Sequence, residues 1–386
     1  MTAVDLPPNV QPGPVEIANA LQAKELLDRY DTILFDEQYI DGNYMYQCDG
    51  VIWTGPAGDK LTADISETIV YLRSLNKRIA FITNNATSSR AAYVRKFAGF
   101  GIDVHIDEIF TCGSATASFV REVVLPERRA KGQQEGIYLI GQAAMEEELK
   151  AEGLQWTGGT DAEDDVLLEP QNFDSIRPNV NIGIVIYAFQ MRSSSAFLIP
   201  RGFHVSLESM LPPPPSLHLP RRSFRANTAS HHSPQVNYKQ LAKAYNYLTS
   251  NPGCQLILTN DDQSFLLPHG GYAPGEGAIS SVLVCALRKG VKPTIVGKPH
   301  QPLLDIVHRS LDFTSSRTLF IGDRLDTDVL FAKRGKIDSM LVWTGISKPI
   351  DLVGLSSDKE PEWTCESVGR LLDARTVANG ATAVKN

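Results

Sequence analysis

The sequence predicts an α/β protein built around a mainly parallel β-sheet. Short runs of apolar and β-branched residues recur along the chain, and each ends at small or polar residues. Continuous apolar strands of this kind are typical of sheets covered on both faces. Helical patterns lie between them, for example at 66–75, 238–245 and 303–308. The alternation of strand with helix favours a parallel sheet flanked by helices.

Composition and charge exclude several classes of protein. The chain has 386 residues, 42% of them hydrophobic and 21% charged, which is typical of a globular protein long enough for two domains. It contains no apolar run of about 18 residues, so no membrane-spanning helix is predicted. The net charge of −7 argues against non-specific nucleic-acid binding. Five scattered cysteines and no recognisable secretory signal predict reduced thiols and a cytoplasmic location.

Eight strands are predicted, and the residues that follow them matter most for function. In chain order the strands cover residues 32–35, 78–82, 136–140, 181–187, 255–258, 294–296, 317–321 and 339–343. In parallel sheets flanked by helices, ligands bind at the carboxyl ends of the strands. Candidate site residues are therefore sought directly after each strand.

Four strand ends carry side chains that suit a phosphate group. The first strand ends at Asp36, and the second leads into Thr83-Asn84-Asn85. Two later strands lead into Gly297-Lys298-Pro299 and into the acidic run from Gly322 to Asp328. Taken singly, each has a simpler explanation as a helix cap, a bend or a solvated turn. Together they offer a carboxylate nucleophile, hydroxyl and amide donors, an ammonium group and an acidic pocket for a cation.

Two stretches interrupt the pattern. Residues 37–47 have no strand or helix period and separate Asp36 from Cys48-Asp49-Gly50. Residues 190–235 hold four consecutive prolines, five arginines and four of the eight histidines. The simpler interpretation of this second stretch is a disordered insertion without chemistry. A metal-binding role for His231-His232, or a role of the proline run as an SH3-type ligand, is the alternative.

The order and placement of the four motifs resemble those of the haloacid dehalogenase superfamily of phosphatases. The passages FITNNATSSR, NPGCQLILTNDD, TIVGKP and LFIGDRLDTDVLFA carry the resemblance, which covers about residues 25–350 apart from the two interruptions. It is closest to the eukaryotic 4-nitrophenylphosphatase and phosphoglycolate phosphatase family, which includes pyridoxal phosphatase. It implies a Rossmann-like core domain with a parallel sheet and an inserted α/β cap domain.

The resemblance also implies how the chain is divided. In order, the expected parts are an N-terminal segment (1–24), the first part of the core (25–111), the cap (112–290), the second part of the core (291–375) and a tail (376–386).

The family pattern places one residue between the nucleophilic aspartate and a second aspartate. Joining Asp36 directly to Cys48 gives LFDCDGVIW, which fits that pattern, so residues 37–47 look inserted into the catalytic loop. An unspliced intron in a predicted gene product would explain both insertions, and a natural loop is the alternative. We expect this insertion to lower turnover, because it separates two carboxylates that must act on one phosphoester.

The resemblance implies two catalytic carboxylates and a metal site. Asp36 would attack phosphorus to form an aspartyl-phosphate, and Asp49 would protonate the leaving alkoxide and then help to activate water. Mg²⁺ would be bound by Asp36, the main-chain carbonyl of Asp49 and Asp323, and Asp328 would order the shell of ligands around the metal.

The resemblance assigns the phosphate to a separate group of hydrogen-bond donors. The residues expected to hold the phosphoryl oxygens are Thr83, Asn84, Asn85 and Lys298. In the cap, Phe265 occupies what looks like the substrate-facing position, where an apolar residue favours phosphoglycolate and small aryl phosphates over pyridoxal phosphate.

The sequence therefore predicts a magnesium-dependent phosphatase for small phosphomonoesters such as 2-phosphoglycolate and 4-nitrophenyl phosphate. The expected partner is a small phosphorylated metabolite, without nucleic acid or membrane, and the resemblance is compatible with a homodimer. A catalytically impaired or silent protein of the same fold is the first alternative, because Asp36 and Asp49 are thirteen residues apart. A pyridoxal-phosphate phosphatase, and a phosphomutase or ATPase of the same superfamily, are the others.

Overall fold

The computed structural model describes residues 13–37, 50–54, 60–166, 168–189, 236–266, 271–287 and 291–378. Within these ranges the α/β prediction is confirmed, and each of the eight predicted strands forms to within one residue at either end. Asp49 and the stretches 38–47 and 190–235 lie outside the described residues. No helix in the described part of the chain is long and apolar enough to cross a membrane.

The strands and helices are numbered in chain order. The strands are β1 (Val15–Ile17), β2 (Thr32–Asp36), β3 (Trp53–Thr54), β4 (Lys60–Leu61), β5 (Arg78–Thr83), β6 (Ile109–Thr111), β7 (Gly136–Ile140), β8 (Trp156–Gly158), β9 (Ile182–Tyr187), β10 (Gln255–Leu258), β11 (Ser264–Leu266), β12 (Tyr272–Pro274), β13 (Thr294–Ile295), β14 (Thr318–Gly322), β15 (Asp338–Val342) and β16 (Trp363–Cys365). The α-helices are α1 (Ala20–Arg29), α2 (Ile65–Ser74), α3 (Arg90–Gly99), α4 (Cys112–Phe119), α5 (Leu125–Ala130), α6 (Ala143–Ala151), α7 (Tyr238–Ser250), α8 (Glu276–Ala286), α9 (Gln301–Leu311), α10 (Leu330–Gly335) and α11 (Ala374–Ala378).

The larger sheet is parallel and brings the predicted site together. Its strand order is β1-β16-β15-β14-β2-β5-β6, so the strand ending at Asp36 lies at the centre between β14 and β5. Phe35 is the register partner of both Ile321 on β14 and Phe81 on β5. Because neighbouring parallel strands end at the same edge, the residues that follow β2, β5 and β14 lie side by side.

The smaller sheet is also parallel and has the order β13-β10-β9-β7-β8. It includes β13, whose Thr294 is the register partner of Ile257 on β10. The predicted second part of the core includes residue 294, whereas this residue pairs within the smaller sheet. Likewise β1, from the predicted N-terminal segment, pairs with β16 at the edge of the larger sheet. We therefore propose domain boundaries just before β1 and just after β13.

Three buried apolar clusters hold the layers together. One fills the face of the larger sheet under α1, α2 and α3, and another covers the outer face of the smaller sheet under α7 and α8. The third lies between the two sheets, where Leu34 and Phe320 share a cluster with Leu139 and Ile186. The two sheets therefore share one buried apolar core.

Candidate active site

Two aspartates occupy neighbouring strand ends at the carboxyl edge of the larger sheet. Asp36 is the last residue of β2, and Asp323 follows β14 directly. The two side chains are 1% and 0% exposed, although a buried carboxylate is costly unless it is paired or coordinated. Their burial indicates a structured site rather than a solvated acidic turn.

Lys298 supplies the balancing charge between two carboxylates. Its Nζ contacts Asp36 Oδ1 and lies 2.7 Å from Asp328 Oδ1, and all three side chains are buried. Burial by itself lowers the pKa of Lys298, but the carboxylates of Asp328 and Asp36 raise it more, so its net pKa lies above the usual value. The lysine is therefore a charged ammonium at neutral pH.

The carboxylates of Asp36, Asp323 and Asp328 form a cluster that fits a divalent cation. One oxygen from each lies within 4.8 Å of the others. Asp36 Oδ2 and Asp323 Oδ1 are buried and have no hydrogen-bond partner among the described residues. Burial, and next the Asp328 carboxylate, raise the pKa of Asp36 well above its usual value and that of Asp323 to about 6. Three carboxylates facing one ammonium leave an excess of negative charge, and oxygen ligands suit a hard cation such as Mg²⁺.

Backbone amides fix two of these carboxylates. Asp328 Oδ2 accepts hydrogen bonds of 3.1 Å from the amides of Asp323 and Arg324. Asp323 Oδ2 accepts a 2.8 Å hydrogen bond from the amide of Ile346, in the loop after β15. At Gly345 in the same loop, an added Cβ would lie 2.0 Å from Asp323 Oδ2. The loop can therefore close around Asp323 only with glycine at this position.

Three of the predicted phosphate-binding residues lie at the end of β5, and one of them, Asn84, contacts the lysine. Asn84 Oδ1 accepts a 2.6 Å hydrogen bond from the Lys298 amide, and Asn84 Nδ2 donates a 2.9 Å bond to the Lys298 carbonyl. Thr83 Oγ1 accepts from the Asn85 amide at 3.1 Å, and Asn85 Nδ2 donates to the Tyr93 hydroxyl at 2.9 Å. The side-chain amide of Asn84 thus holds the main chain of Lys298 in place. Binding of phosphoryl oxygens by these residues stays a proposal.

A buried glutamate that the sequence analysis missed ties the smaller sheet to this site. Glu276 begins α8 and accepts hydrogen bonds from Thr259 Oγ1 at 2.7 Å, the Asn260 amide at 3.0 Å and the Phe189 amide at 2.9 Å. Asn260 Nδ2 in turn donates to the Asn84 carbonyl at 2.8 Å. Burial raises the pKa of Glu276 to about 8. Its signal in the sequence is an acid in the first turn of a helix, where it usually serves only the helix dipole.

Glu37 is a second buried acid that the sequence analysis did not identify. It follows Asp36, is 1% exposed, and accepts a hydrogen bond from the indole Nε1 of Trp53. Burial raises the pKa of Glu37 to about 7. Glu37 begins a stretch of sequence without strand or helix periodicity, so no local pattern indicates a buried side chain.

The proposed acid Asp49 lies outside the described residues, but its neighbour in the chain is held next to the site. The carbonyl of Gly50 accepts a 2.7 Å hydrogen bond from Thr344 Oγ1, one residue before Gly345. In the cap, Phe265 on β11 packs edge to face with Phe189, with ring centroids 5.6 Å apart.

Two protein-family models match the chain. A model described as haloacid dehalogenase-like hydrolase matches residues 44–155, and a model described as HAD-hydrolase-like matches residues 295–371. The second match contains Lys298, Asp323 and Asp328. Asp36 precedes the first match, and its place in the candidate site rests on its position at the end of β2 and on its contact with Lys298.

Several curated proteins are similar over most of this chain. The 4-nitrophenylphosphatase of Schizosaccharomyces pombe is 28% identical over 360 residues, which span 93% of this chain and 98% of the relative. Phosphoglycolate phosphatase 1A, chloroplastic, of Arabidopsis thaliana is 26% identical over 368 residues, 95% of this chain and 83% of the relative. The human glycerol-3-phosphate phosphatase is 28% identical over 337 residues, 85% of this chain and 84% of the relative.

Solved structures have the same fold. The crystal structure of 4-nitrophenylphosphatase from Thermotoga maritima superposes with a TM-score of 0.57 at 23% identity, covering 90% of this chain and 97% of that one. NagD from E. coli K-12 superposes with a TM-score of 0.57 at 18% identity, covering 88% and 97%. Both likenesses concern the arrangement of the sheets and helices.

Proposed function

The chain belongs to the haloacid dehalogenase-like hydrolases, and we propose that it is a magnesium-dependent phosphatase for small phosphomonoesters. The observation that carries this proposal is the buried Asp36, which contacts Lys298 and shares a carboxylate cluster with Asp323 and Asp328. A nucleophile, a fixed cation and a cation-binding cluster at one sheet edge are the parts that phosphoryl transfer requires.

Asp36 is the proposed nucleophile. Its Oδ1 contacts Lys298, whereas its buried Oδ2 has no hydrogen-bond partner in the described ranges. An oxygen of Asp36 would attack phosphorus, the P–O bond to the leaving group would break, and an aspartyl-phosphate would form. Water would then attack phosphorus to release inorganic phosphate and restore the carboxylate. Two displacements replace one difficult displacement, which is the advantage of covalent catalysis.

Lys298 and Asn84 are proposed to stabilise the transferred group. The ammonium of Lys298 is already desolvated and held between carboxylates, so it needs no reorganisation when charge spreads over the phosphoryl oxygens. Asn84 contributes by holding both main-chain groups of Lys298. Thr83 and Asn85 are proposed to supply further donors, as the family resemblance implies.

Mg²⁺ is proposed to be held by Asp36 and Asp323, together with the main-chain carbonyl of Asp49, and to be oriented by Asp328. When bound, it would neutralise negative charge on the phosphate and favour attack by a carboxylate. The two partnerless carboxylate oxygens in the described part of the chain support this assignment.

Asp49 is the proposed general acid. It would give a proton to the leaving oxygen and later take one from the attacking water. The support comes from its neighbour, since the Thr344 hydroxyl holds the carbonyl of Gly50. A cytoplasmic location and a homodimer stay predictions.

Substrate choice is proposed to favour small molecules. The apolar pair of Phe265 and Phe189 at the cap hairpin supports 2-phosphoglycolate and 4-nitrophenyl phosphate over pyridoxal phosphate. Relatives named for 4-nitrophenyl phosphate, phosphoglycolate and glycerol 3-phosphate support the same class of substrate.

The test is release of 4-nitrophenol by the full chain with Mg²⁺ and with a chelator. We expect turnover that needs the metal and that falls by at least about a thousandfold in Asp36→Asn. Asp326→Asn is the matched control, because Asp326 is exposed and pairs with Arg324 outside the carboxylate cluster. Turnover that survives in Asp36→Asn would exclude the mechanism, and no turnover of any of the named substrates would favour a silent protein. Preference for pyridoxal phosphate would exclude the proposed substrate class.

A further inference from the structure

The chain is anchored on both sides of the interruption that follows Asp36. On the near side, the Glu37 amide donates a 3.0 Å hydrogen bond to the Ile82 carbonyl and so continues β2 by one residue. On the far side, Val51, Ile52 and Trp53 are buried in the core cluster of the larger sheet. The indole Nε1 of Trp53 donates to the carboxylate of Glu37, which joins the two sides directly.

The hydrogen bond between Trp53 and Glu37 forms a joint between the two sides, and charged and aromatic side chains surround it. Lys96 Nζ lies 3.6 Å from the centroid of the Trp53 ring, and Lys96 and the Tyr93 hydroxyl both interact with the Glu37 carboxylate. The Trp53 ring packs against Phe97 with centroids 5.1 Å apart. A buried charge with such partners is costly to separate from them, so the joint resists opening.

The far side also reaches the carboxylate cluster. The Gly50 amide donates to the Trp53 carbonyl at 3.1 Å, which forms a tight turn. The Gly50 carbonyl accepts from Thr344 Oγ1 at 2.7 Å, and the Ile346 amide two residues later holds Asp323. The chain therefore re-enters the core beside the carboxylates, immediately after Asp49.

We propose that Glu37 is a positioning residue, whose bond to Trp53 closes the base of the interruption so that Asp36 and the chain at Gly50 keep the spacing that catalysis requires. The inference rests on the proposed phosphatase function. A non-covalent joint at the base does what a direct covalent connection does in a chain without the insertion, because it fixes the distance between the two described ends of the interruption. It predicts that the full chain is active, contrary to the expectation that the insertion lowers turnover.

The test compares the full chain with a variant that lacks residues 38–48, which reads Asp36-Glu37-Asp49-Gly50 and closes the loop covalently. Trp53→Phe keeps the packed ring but removes the donor, Glu37→Ala removes the acceptor, and Glu37→Gln keeps an acceptor. In the full chain we expect Glu37→Ala and Trp53→Phe each to lower kcat for 4-nitrophenyl phosphate by about tenfold or more. The double variant should be no worse than Glu37→Ala, and Glu37→Gln should stay within about fivefold of the parent.

The decisive comparison is made in the variant that lacks residues 38–48. There, Glu37→Ala should change kcat by less than about twofold, because the covalent connection replaces the joint. Equal losses in both backgrounds would show a merely structural role, and an unchanged kcat in the full chain would also overturn the proposal. If Glu37→Ala does not fold, Trp53→Phe decides by the same comparison. Inactivity of both parents towards the named substrates would refute the proposed function instead.

Discussion

At the scale of one residue, Lys298 balances the negative charge of the buried carboxylates in the site. Its ammonium is 1% exposed and lies between Asp36 and Asp328. A cation in this position offsets the repulsion between carboxylates that lie close together. Removing it is expected to affect both the proposed chemistry and the stability, and the two effects can be measured separately.

Lys298→Met keeps most of the side-chain volume but leaves two buried carboxylates without their cation. We expect turnover to fall at least about a hundredfold and the free energy of unfolding to fall by about 3–5 kcal/mol at neutral pH. Lys298 lowers the pKa of Asp36, so its loss raises the folded-state pKa of that carboxyl further, and the folded protein holds a proton that the unfolded chain releases. The stability deficit should therefore be smaller at pH 5 than at pH 7.5, as measured by urea unfolding.

Lys131→Met is the control for this variant, because the ion pair of Lys131 with Glu127 is exposed. It should change the stability by less than about 0.5 kcal/mol and leave turnover unchanged. A Lys298→Met protein with normal turnover would remove the lysine from the proposed mechanism.

Glu276 should make stability depend on pH. Its pKa is raised from 4.5 to about 8 in the folded protein, mainly by burial, so between these values the folded state binds more protons than the unfolded state. The contribution of Glu276 to stability is therefore lost as the pH rises towards 8 and above. Compared with the parent, Glu276→Gln should become progressively more favourable from pH 5 to pH 9, measured as the free energy of urea unfolding. The same change at the exposed Glu67 serves as the control, and parallel pH profiles for the parent and Glu276→Gln would contradict the prediction.

Gly345 tests the close approach of the loop after β15 to Asp323. In Gly345→Ala the new methyl group would displace the Asp323 carboxylate or the loop, because an added Cβ would lie only 2.0 Å from Asp323 Oδ2. A displacement of about 1 Å costs about a hundredfold in rate, so we expect at least that loss in kcat for 4-nitrophenyl phosphate. Gly99→Ala, where an added Cβ meets nothing within 4 Å, should keep full turnover. Equal rates for the two variants would show that the loop moves without cost.

At the scale of elements, the boundaries of the long insertion at 190–235 are well anchored. On one side the amide of Phe189 donates to Glu276, and on the other Asn237 caps α7 and donates a 2.7 Å bond to the Asp164 carbonyl. Neither anchor uses a residue of the insertion. The described part of the cap is therefore anchored on both sides of the insertion by contacts that do not involve it.

We predict that replacing residues 190–235 by a short glycine-serine linker leaves the midpoint of thermal unfolding unchanged or raises it. A proline-rich stretch without periodicity has little apolar surface to bury, so its loss removes few stabilising contacts. A shorter loop also costs less conformational entropy to close. Thermal unfolding followed by circular dichroism measures this. Loss of a cooperative transition would mean that the segment contains a structural element.

At the scale of the whole molecule, the carboxylate cluster is expected to couple metal binding to stability. Asp36, Asp323 and Asp328 face a single lysine, and two of their oxygens have no hydrogen-bond partner in the described ranges. A cation that binds only the folded state stabilises it by mass action. We expect millimolar Mg²⁺ to raise the midpoint of thermal unfolding by several degrees, about 1 kcal/mol or more.

Asp323→Asn should abolish this rise, whereas the exposed Asp326→Asn should preserve it. Differential scanning calorimetry with and without chelator makes the comparison independently of any substrate. An equal rise in both variants would locate the metal elsewhere.

The sequence alone determined the fold class and predicted most of the candidate site residues. A strand that ends at Asp36, a lysine on a glycine-proline bend and the acidic run from Gly322 are local patterns, and local patterns report which segments are buried and where each ends. Because parallel strands end at one edge, the grouping of Asp36 with the acidic run followed from the strand assignment. Lys298 follows β13 of the smaller sheet, so the strand assignment did not fix its place beside Asp36. Eight of the nine described strands that have only two or three residues escaped detection, since so short a run is hard to recognise; they are β1, β3, β4, β6, β8, β11, β12 and β16.

Only the tertiary structure decided which partners these residues have. Lys298 contacts an aspartate 262 residues away, Glu276 joins three separate segments, and β13 pairs in the smaller sheet rather than the larger one. Glu37 lies in a stretch without any period, yet it is buried because Trp53, Lys96 and Tyr93 surround it. Periodicity along the sequence indicates that a side chain is buried, but the packing of distant segments determines which residues surround it. These neighbours keep Lys298 charged and connect the two sides of the interruption beside Asp36.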